Sequence, residues 1–316
     1  MQDISIIIVS YNTIEITKIA LKHLFASMQN YEFEIFIIDN ASVDHSADIL
    51  RNEYPNITLI ENKVNVGFGR ANNQVLPYIN SRYVLLLNTD AFVEPDTISK
   101  TVQYMDTHPQ CGILGVKFLG RDGELQPSCR YFPTPLNIFL NRTGLNRVFK
   151  HTKMVDDMSW DHATVRNCDW VPGCYYLVRK EVIDQIGLFD PRYFLYYEEI
   201  DHCFAAKNAG WQVTYFPYTT VVHLGGESAK TEGEITTTGR QIESLQIESE
   251  LLYFKKNHGL VAIIGYVFLS TLADLILTAK DIVKLRIFQK RFIYLGHLLL
   301  LWKSFYYTRM GMRPTR

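Results

Sequence analysis

Cysteine is sparse and scattered in this chain. Cys111, Cys129, Cys168, Cys174 and Cys203 form an odd set with no close pair at metal-ligand spacing. That argues against both a clustered-cysteine metal site and a disulfide framework, and it points to a reducing cytosol. No Gly-x-Gly-x-x-Gly follows the first apolar run, which removes a dinucleotide-dependent oxidoreductase. Ser10 to Glu15 supplies neither a glycine-rich phosphate loop nor a lysine, against the expectation for a nucleotidyltransferase. There is no internal repeat or low-complexity tract, and 47% apolar residues over 316 positions suffice for a full core in one large domain or a domain with an appendage. A basic leader with a small-residue cleavage site is also missing. Met1-Gln2-Asp3 runs directly into Ile4 to Val9, which reads as a first strand and not a signal peptide.

Net charge is nearly absent, at −1, but its distribution is uneven. Between Ala279 and Arg316 nine Lys and Arg face the single acid Asp281, leaving an acidic body of 23 basic and 32 acidic residues. A basic tail suits an anionic surface. Because this tail is also rich in Leu, Ile, Phe, Tyr and Trp302, a membrane surface is expected as its partner, and no nucleic acid.

Apolar β-branched runs at Ile4 to Val9, Glu34 to Ile38, Ile57 to Ile60 and Tyr83 to Leu87 alternate with helical patterns near Ile14 to Met28, Ser46 to Glu53 and Arg70 to Tyr78. This spacing predicts βαβ units and a largely parallel sheet. A helix through about Met105, a strand from Cys111 to Phe118 and a Pro-spaced extended stretch from Gln126 through Pro135 follow.

Polar clusters sit at or close behind the strand ends, where an open α/β sheet assembles a ligand site. They are Ser10-Tyr11-Asn12, Asp39 to Asp44, Asn65 to Asn73, and Asn88-Thr89-Asp90 after the run Leu85-Leu86-Leu87. The last reads in two ways: a buried strand delivering a carboxylate to a divalent cation, or a strand closed by an Asx turn. Further on, Trp170-Val171-Pro172-Gly173 precedes a strand at Tyr175 to Val178 and a helix ending at Gly187. Glu198, Glu199 and Asp201 then place three carboxylates within four positions, which is either a helix N-terminus favouring acids or a functional cluster with a raised pKa. His223 stands at a strand end before a glycine turn, a structural or a ligand position.

These ordered blocks, over roughly residues 4 to 228, resemble the family-2 glycosyltransferases of the GT-A fold, most closely their bacterial rhamnosyltransferase-like branch. The resemblance implies an α/β fold with a mostly parallel mixed sheet flanked by helices, residues 1–230 as catalytic domain and 231–316 as a helical, membrane-associated extension. It implies that Ser10, Tyr11, Asn12, Asn40, Ser42, Asn65, Gly67, Arg70, Asn72, Asn88 and Thr89 line the donor nucleotide and diphosphate, with Asp39 reading a uracil or thymine imide and Asp44 completing its loop. Asp90 and His223 are implied as ligands of Mg2+ or Mn2+, with Asn88 where the family's metal motif has its first aspartate. Trp170 and Gly173 are implied to flank the acceptor. Gln126-Pro127-Ser128-Cys129-Arg130 with Phe132-Pro133 is similar to a loop of that branch. The family's base falls on Glu199, a glutamate where an aspartate is usual, so Asp201 and Glu198 stay as alternatives.

The implied activity is metal-dependent, inverting transfer of a sugar from a nucleotide-diphosphate donor to a lipid-linked or glycan acceptor in bacterial surface polysaccharide synthesis, with dTDP-rhamnose as leading donor. A non-catalytic nucleotide-sugar or glycan-binding module is the rival, since Asn88 and the missing aspartate allow it. From Gly233 to Asn257 the chain reads as a polar linker and then an amphipathic helix around Ile242, Leu245, Ser249 and Leu252. Leu260 to Thr278 holds only Asp274 as a charge and is near the length of a membrane span. A single span would carry the basic tail away from the cytosolic side, so interfacial helices on the inner leaflet are expected over a span or a soluble helical subdomain.

Overall fold

The computed structural model of the chain describes residues 2–27, 31–149, 151–225, 239–284 and 293–316. The β-branched runs form strands β1 (Gln2–Ser10), β2 (Phe33–Asp39), β3 (Thr58–Glu61) and β4 (Ser81–Leu87), joined by α1 (Ile14–Ala26), α2 (Ser46–Glu53) and α3 (Phe68–Asn73). Pro77 shortens the third helical pattern, which ends as the 3-10 turn Leu76–Tyr78. Next come β5 (Ala91–Val93), α4 (Thr97–Thr107), β6 (Cys111–Leu119), β7 (Leu125–Gln126), β8 (Arg166–Asn167), β9 (Tyr175–Arg179), α6 (Lys180–Ile186), α7 (Glu198–Asn208) and β10 (Gln212–His223).

The strands make one sheet in the order β3-β2-β1-β4-β9-β6-β10-β5, with β7 beside β6 and β8 beside β10. β3, β2, β1 and β4 are parallel, while β9 lies antiparallel between β4 and β6, so the sheet is mixed. The strands of its parallel half are near-continuously apolar because helices cover both faces. Ile4, Ile6, Ile8, Ile37, Leu85 and Leu177 are buried at its centre.

The chain divides into two compact units. The first comprises residues 1–130, 158–191 and 198–237 and holds the sheet. The second comprises residues 131–157, 192–197 and 238–316. The second contains α5 (Pro135–Thr143), which sequence periodicity did not reveal; it opens on a capping box between Thr134 and Asn137 and stops at Gly144 in the left-handed region. Its principal element is the helical run α8 (Gly239–Val283), broken at Gly259, where φ is 77°. The polar linker expected from Gly233 lies outside the described residues up to 238, and from Gly239 the chain is helical with Leu245, Ser249 and Leu252 buried.

Beyond Gly259, α8 is apolar on both faces. Ile263, Tyr266, Val267, Ala273 and Asp274 are buried, while Val261, Ile264, Phe268, Leu272 and Leu275 are exposed along one stripe at spacings of three and four. Asp274 is fully buried and ion-paired with Arg142 of α5. It also lies 2.7 Å from His297 Nδ1 of α9 (Ile293–Tyr307). Trp302 Nε1 of α9 donates to Thr271 Oγ1 of α8 at 3.1 Å. Among the described residues one helix, Arg240–Val283, is long and apolar enough by length and composition to cross a membrane.

Candidate active site

The first layer of the site is a loop network at the ends of β1, β2 and β3. Asn12 adopts φ 53°, a left-handed conformation an asparagine tolerates. Its backbone N–H donates to Ser42 Oγ at 2.9 Å, and its Oδ1 accepts Val43 N–H at 2.7 Å. Asp44 accepts Ile14 N–H and Ser46 N–H, fastening the starts of α1 and α2. Ser10 and Tyr11 are buried in the same cluster. Gln74 donates to Asn62, Asn62 to Asn40, and Asn40 to Asn65, while Asn65 Oδ1 also accepts Gly67 N–H. This one-directional chain of amides polarises in concert and holds the Asn65 loop against β2. Asn62 and Gln74 were not singled out by sequence; the only cue was a polar residue directly after β3.

Asp39 is buried at this edge. One carboxylate oxygen accepts Ser42 N–H at 3.1 Å, and the other, Oδ1, has no hydrogen-bond partner among the described residues. Desolvation raises its pKa. An unpartnered buried acceptor costs about 1–3 kcal/mol, which a ligand N–H would recover. Gly67, at φ 88°, leads into α3, where Arg70 Nε donates to Pro191 O and Asn72 Nδ2 to Phe68 O. Asn72 Oδ1 is likewise buried without a partner.

The second layer stands where β4 ends. Thr89 and Asp90 are buried, and Asn88 N–H donates to Cys174 O at 3.1 Å, tying this turn to the start of β9. β10 pairs antiparallel with β5, setting His223 opposite Ala91. The Asp90 carbonyl accepts Leu224 N–H, and His223 Nε2 comes within 3.5 Å of Asp90 Oδ1. Burial lowers the His223 pKa, opposed by the Asp90 charge. A neutral imidazole and a carboxylate thus face one another, a hard-oxygen and nitrogen pair of the kind that binds Mg2+ or Mn2+ when phosphate oxygens complete the shell. No cluster of three or more His, Cys, Asp or Glu suited to a metal occurs among the described residues, so such a cation would need the ligand's oxygens.

The third layer is the first turn of α7. Glu198 and Asp201 are buried, whereas Glu199 keeps partial exposure. Desolvation raises the Glu199 pKa, opposed by backbone N–H groups of Glu199, Gly173 and Ile200 and by the Arg130 charge. A Cβ placed on Gly173 would sit about 4 Å from the Glu199 side chain. The Arg130 guanidinium stacks 4.3 Å from the Trp170 ring centroid, and Arg130 and Trp170 form a β-bridge. Gly115 on β6 lets this turn approach closely, since a Cβ there would meet Val171 at 2.6 Å. Burial raises the pKa of the Cys174 thiol, with the Asp90 and Glu199 charges adding to the rise. The structure therefore joins Asn12 to Ser42 and Asn40 to Asn65 in hydrogen-bonded loops, pairs Asp90 with His223, and sets Gly173 beside Glu199.

The family model described as glycosyl transferase family 2 matches residues 5–159. The chain is 26% identical over 209 residues to the N-acetylglucosaminyl-diphospho-decaprenol L-rhamnosyltransferase of Mycobacterium tuberculosis, covering 60% of this chain and 66% of that protein. It is 27% identical over 227 residues to the rhamnosyltransferase WbbL of Escherichia coli K12, covering 69% and 82% respectively. Among solved structures, a mannosyltransferase from Pyrobaculum calidifontis, in complex with GDP-Man and Mn2+, superposes with a TM-score of 0.56 at 14% identity over 96% of this chain and 86% of its own, a likeness of fold. Over residues 5–159 the chain belongs to the family-2 glycosyltransferases, and the relatives it resembles are named rhamnosyltransferases.

Proposed function

We propose that the protein transfers a sugar, rhamnose from dTDP-rhamnose first among candidates, to a lipid-linked or glycan acceptor, with inversion and with Mg2+ or Mn2+ as cofactor. The observation that carries this reading is the Asp90–His223 pair, 3.5 Å apart at the ends of β4 and β10, together with the buried Asp39 oxygen left without a partner among the described residues at the end of β2. Asp39 Oδ1 accepts a pyrimidine imide N–H, and Ser10, Tyr11, Asn12, Asn40, Ser42, Asn65, Gly67, Arg70, Asn72, Asn88 and Thr89 surround the remaining nucleotide and diphosphate. Asp90 and His223 hold the cation, which when bound neutralises charge on the departing diphosphate. Trp170 and Gly173 flank the acceptor. Glu199 takes the acceptor hydroxyl's proton as the new bond forms. Its partial exposure and raised proton affinity favour it over the buried Glu198 and Asp201.

The relatives named as rhamnosyltransferases support this donor, and the mycobacterial relative's name supports a polyprenyl-diphosphate acceptor. The test is a panel of nucleotide sugars offered with a GlcNAc-diphospho-polyprenol, with Mg2+, Mn2+ or EDTA. Consumption of one deoxythymidine or uridine donor, abolished by EDTA, is expected. Donor binding without turnover under every condition would give the place to the non-catalytic module.

Residues 1–230 are read as the catalytic domain and 231–316 as the attachment region, with residues 131–157 and 192–197 grouping with the latter. The partner of that region is the anionic inner-leaflet surface, on the cytoplasmic face of the plasma membrane. The stripe Val261, Ile264, Phe268, Leu272 and Leu275, with Leu299, Trp302 and Tyr306 of α9, offers exposed apolar side chains, and exposed Lys303, Arg309 and Arg313 supply the complementary charge. The buried Asp274 favours this over a span, because an ion pair stripped of one partner in an apolar setting costs about 3–5 kcal/mol. The full chain should float with vesicles containing phosphatidylglycerol and be released by high salt or by Phe268→Asp with Ile264→Asp. Retention through alkaline carbonate extraction would instead indicate a spanning helix.

A further inference from the structure

The segment Gln126 to Arg130 was singled out by its pattern but given no task. Gln126 lies on β7 opposite Phe118 of β6. Its Nε2 donates to the His223 backbone oxygen at 3.0 Å, and its Oε1 lies 3.1 Å from His223 Nδ1. The first contact fixes the amide's orientation, because a flipped amide would set an oxygen against the His223 carbonyl. With Oε1 facing Nδ1, that ring nitrogen must carry the proton. Nε2 is then left with its lone pair, aimed toward Asp90 Oδ1 at 3.5 Å. The ring is further confined by Phe118, whose centroid lies 6.0 Å away. The Gln126 strand is itself held in place. Ser128 Oγ donates to Gln126 O at 2.9 Å and accepts Phe118 N–H at 3.1 Å.

We propose that Gln126 is a positioning residue for the cation site: by accepting the Nδ1 proton of His223 it selects the tautomer whose Nε2 lone pair faces Asp90, leaving a bidding pair of acceptors between which a divalent ion fits. This rests on the reading of Asp90 and His223 as metal ligands. A ring nitrogen bound to a metal ordinarily has its other N–H held by such an acceptor, and losing the acceptor costs about 10–100-fold in metal affinity. The task of this glutamine follows from the two contacts it makes with His223.

The experiment uses the full chain, labelled with 15N-histidine, and long-range 1H–15N spectra of the imidazoles without metal, His223→Ala identifying the His223 signals. The wild type should show a protonated Nδ1 and a bare Nε2. Gln126→Met should shift His223 toward the Nε2–H tautomer. In parallel, free Mn2+ is read by electron paramagnetic resonance in the presence of dTDP, where Gln126→Met should weaken binding about 10–100-fold. Thermal melts accompany each variant, so a collapsed fold is recognised. An Nε2–H tautomer in the wild type overturns the proposal, as does Gln126→Met with unchanged tautomer and Mn2+ affinity. If His223→Ala itself leaves Mn2+ binding unchanged, the ligand reading fails and this inference with it. If His223→Ala weakens it while Gln126→Met does not, only the role of Gln126 falls.

Discussion

Glu199→Gln is expected to lower transfer by about a hundred- to ten-thousand-fold, the range for losing a positioned base, while donor binding stays near that of the wild type. The amide keeps the shape of the side chain beside Gly173 and removes only its capacity to take a proton. The pH dependence has a definite sign. Glu199 acts when ionised, and burial raises its pKa above the ordinary glutamate value. The rate therefore falls with decreasing pH through that raised value, and this acid limb disappears in the glutamine variant. Arg130 opposes the rise, so Arg130→Met should move the acid limb to higher pH. An acid limb unchanged in Glu199→Gln would transfer the role to Asp201 or Glu198.

Asp90→Ala should cost about a hundredfold or more in transfer and abolish the response to Mg2+ or Mn2+, because the charge is removed where leaving-group charge develops. The substitution spares the backbone bond from Leu224 N–H to the Asp90 carbonyl, so the strand-end geometry survives. Donor titrations with and without Mn2+ check it. The wild type should bind the diphosphate more tightly with the ion present, and Asp90→Ala should show one affinity in both conditions. A variant that retains metal-stimulated turnover would remove Asp90 from the cation site.

Much of this was legible in the sequence for a physical reason. β1, β2 and β4 are buried on both faces in their second halves, so each ends in an apolar run, Ile6 to Val9, Ile35 to Ile38 and Tyr83 to Leu87, closed by the polar Ser10, Asp39 or Asn88. The proposed site sits at those ends, so finding the strands located Asp39 and Asp90 as its candidates. What stayed hidden depends on pairing across the chain. The contact of Gln126 with His223 spans 97 positions and follows from β7 and β10 both flanking β6, which no local pattern encodes. The amide chain through Asn62 and Gln74 is hidden for the same reason. The antiparallel placement of β9 also escaped, because a run such as Tyr175 to Val178 carries no sign of its direction. On α8, the nineteen residues from Leu260 read as a span by composition, and only the pairing of Asp274 with Arg142 and His297 shows that one face is committed to protein.

The central claim is a single displacement at the anomeric carbon assisted by Glu199. The decisive observation is the sugar's anomeric signal in the proton NMR spectrum during transfer from dTDP-rhamnose to a lipid-linked acceptor with the diamagnetic Mg2+. The first product formed should carry the anomeric configuration opposite to the donor's, and Glu199→Gln should yield almost none. A product that retains the donor's configuration, or a donor that binds and is never consumed, would contradict it.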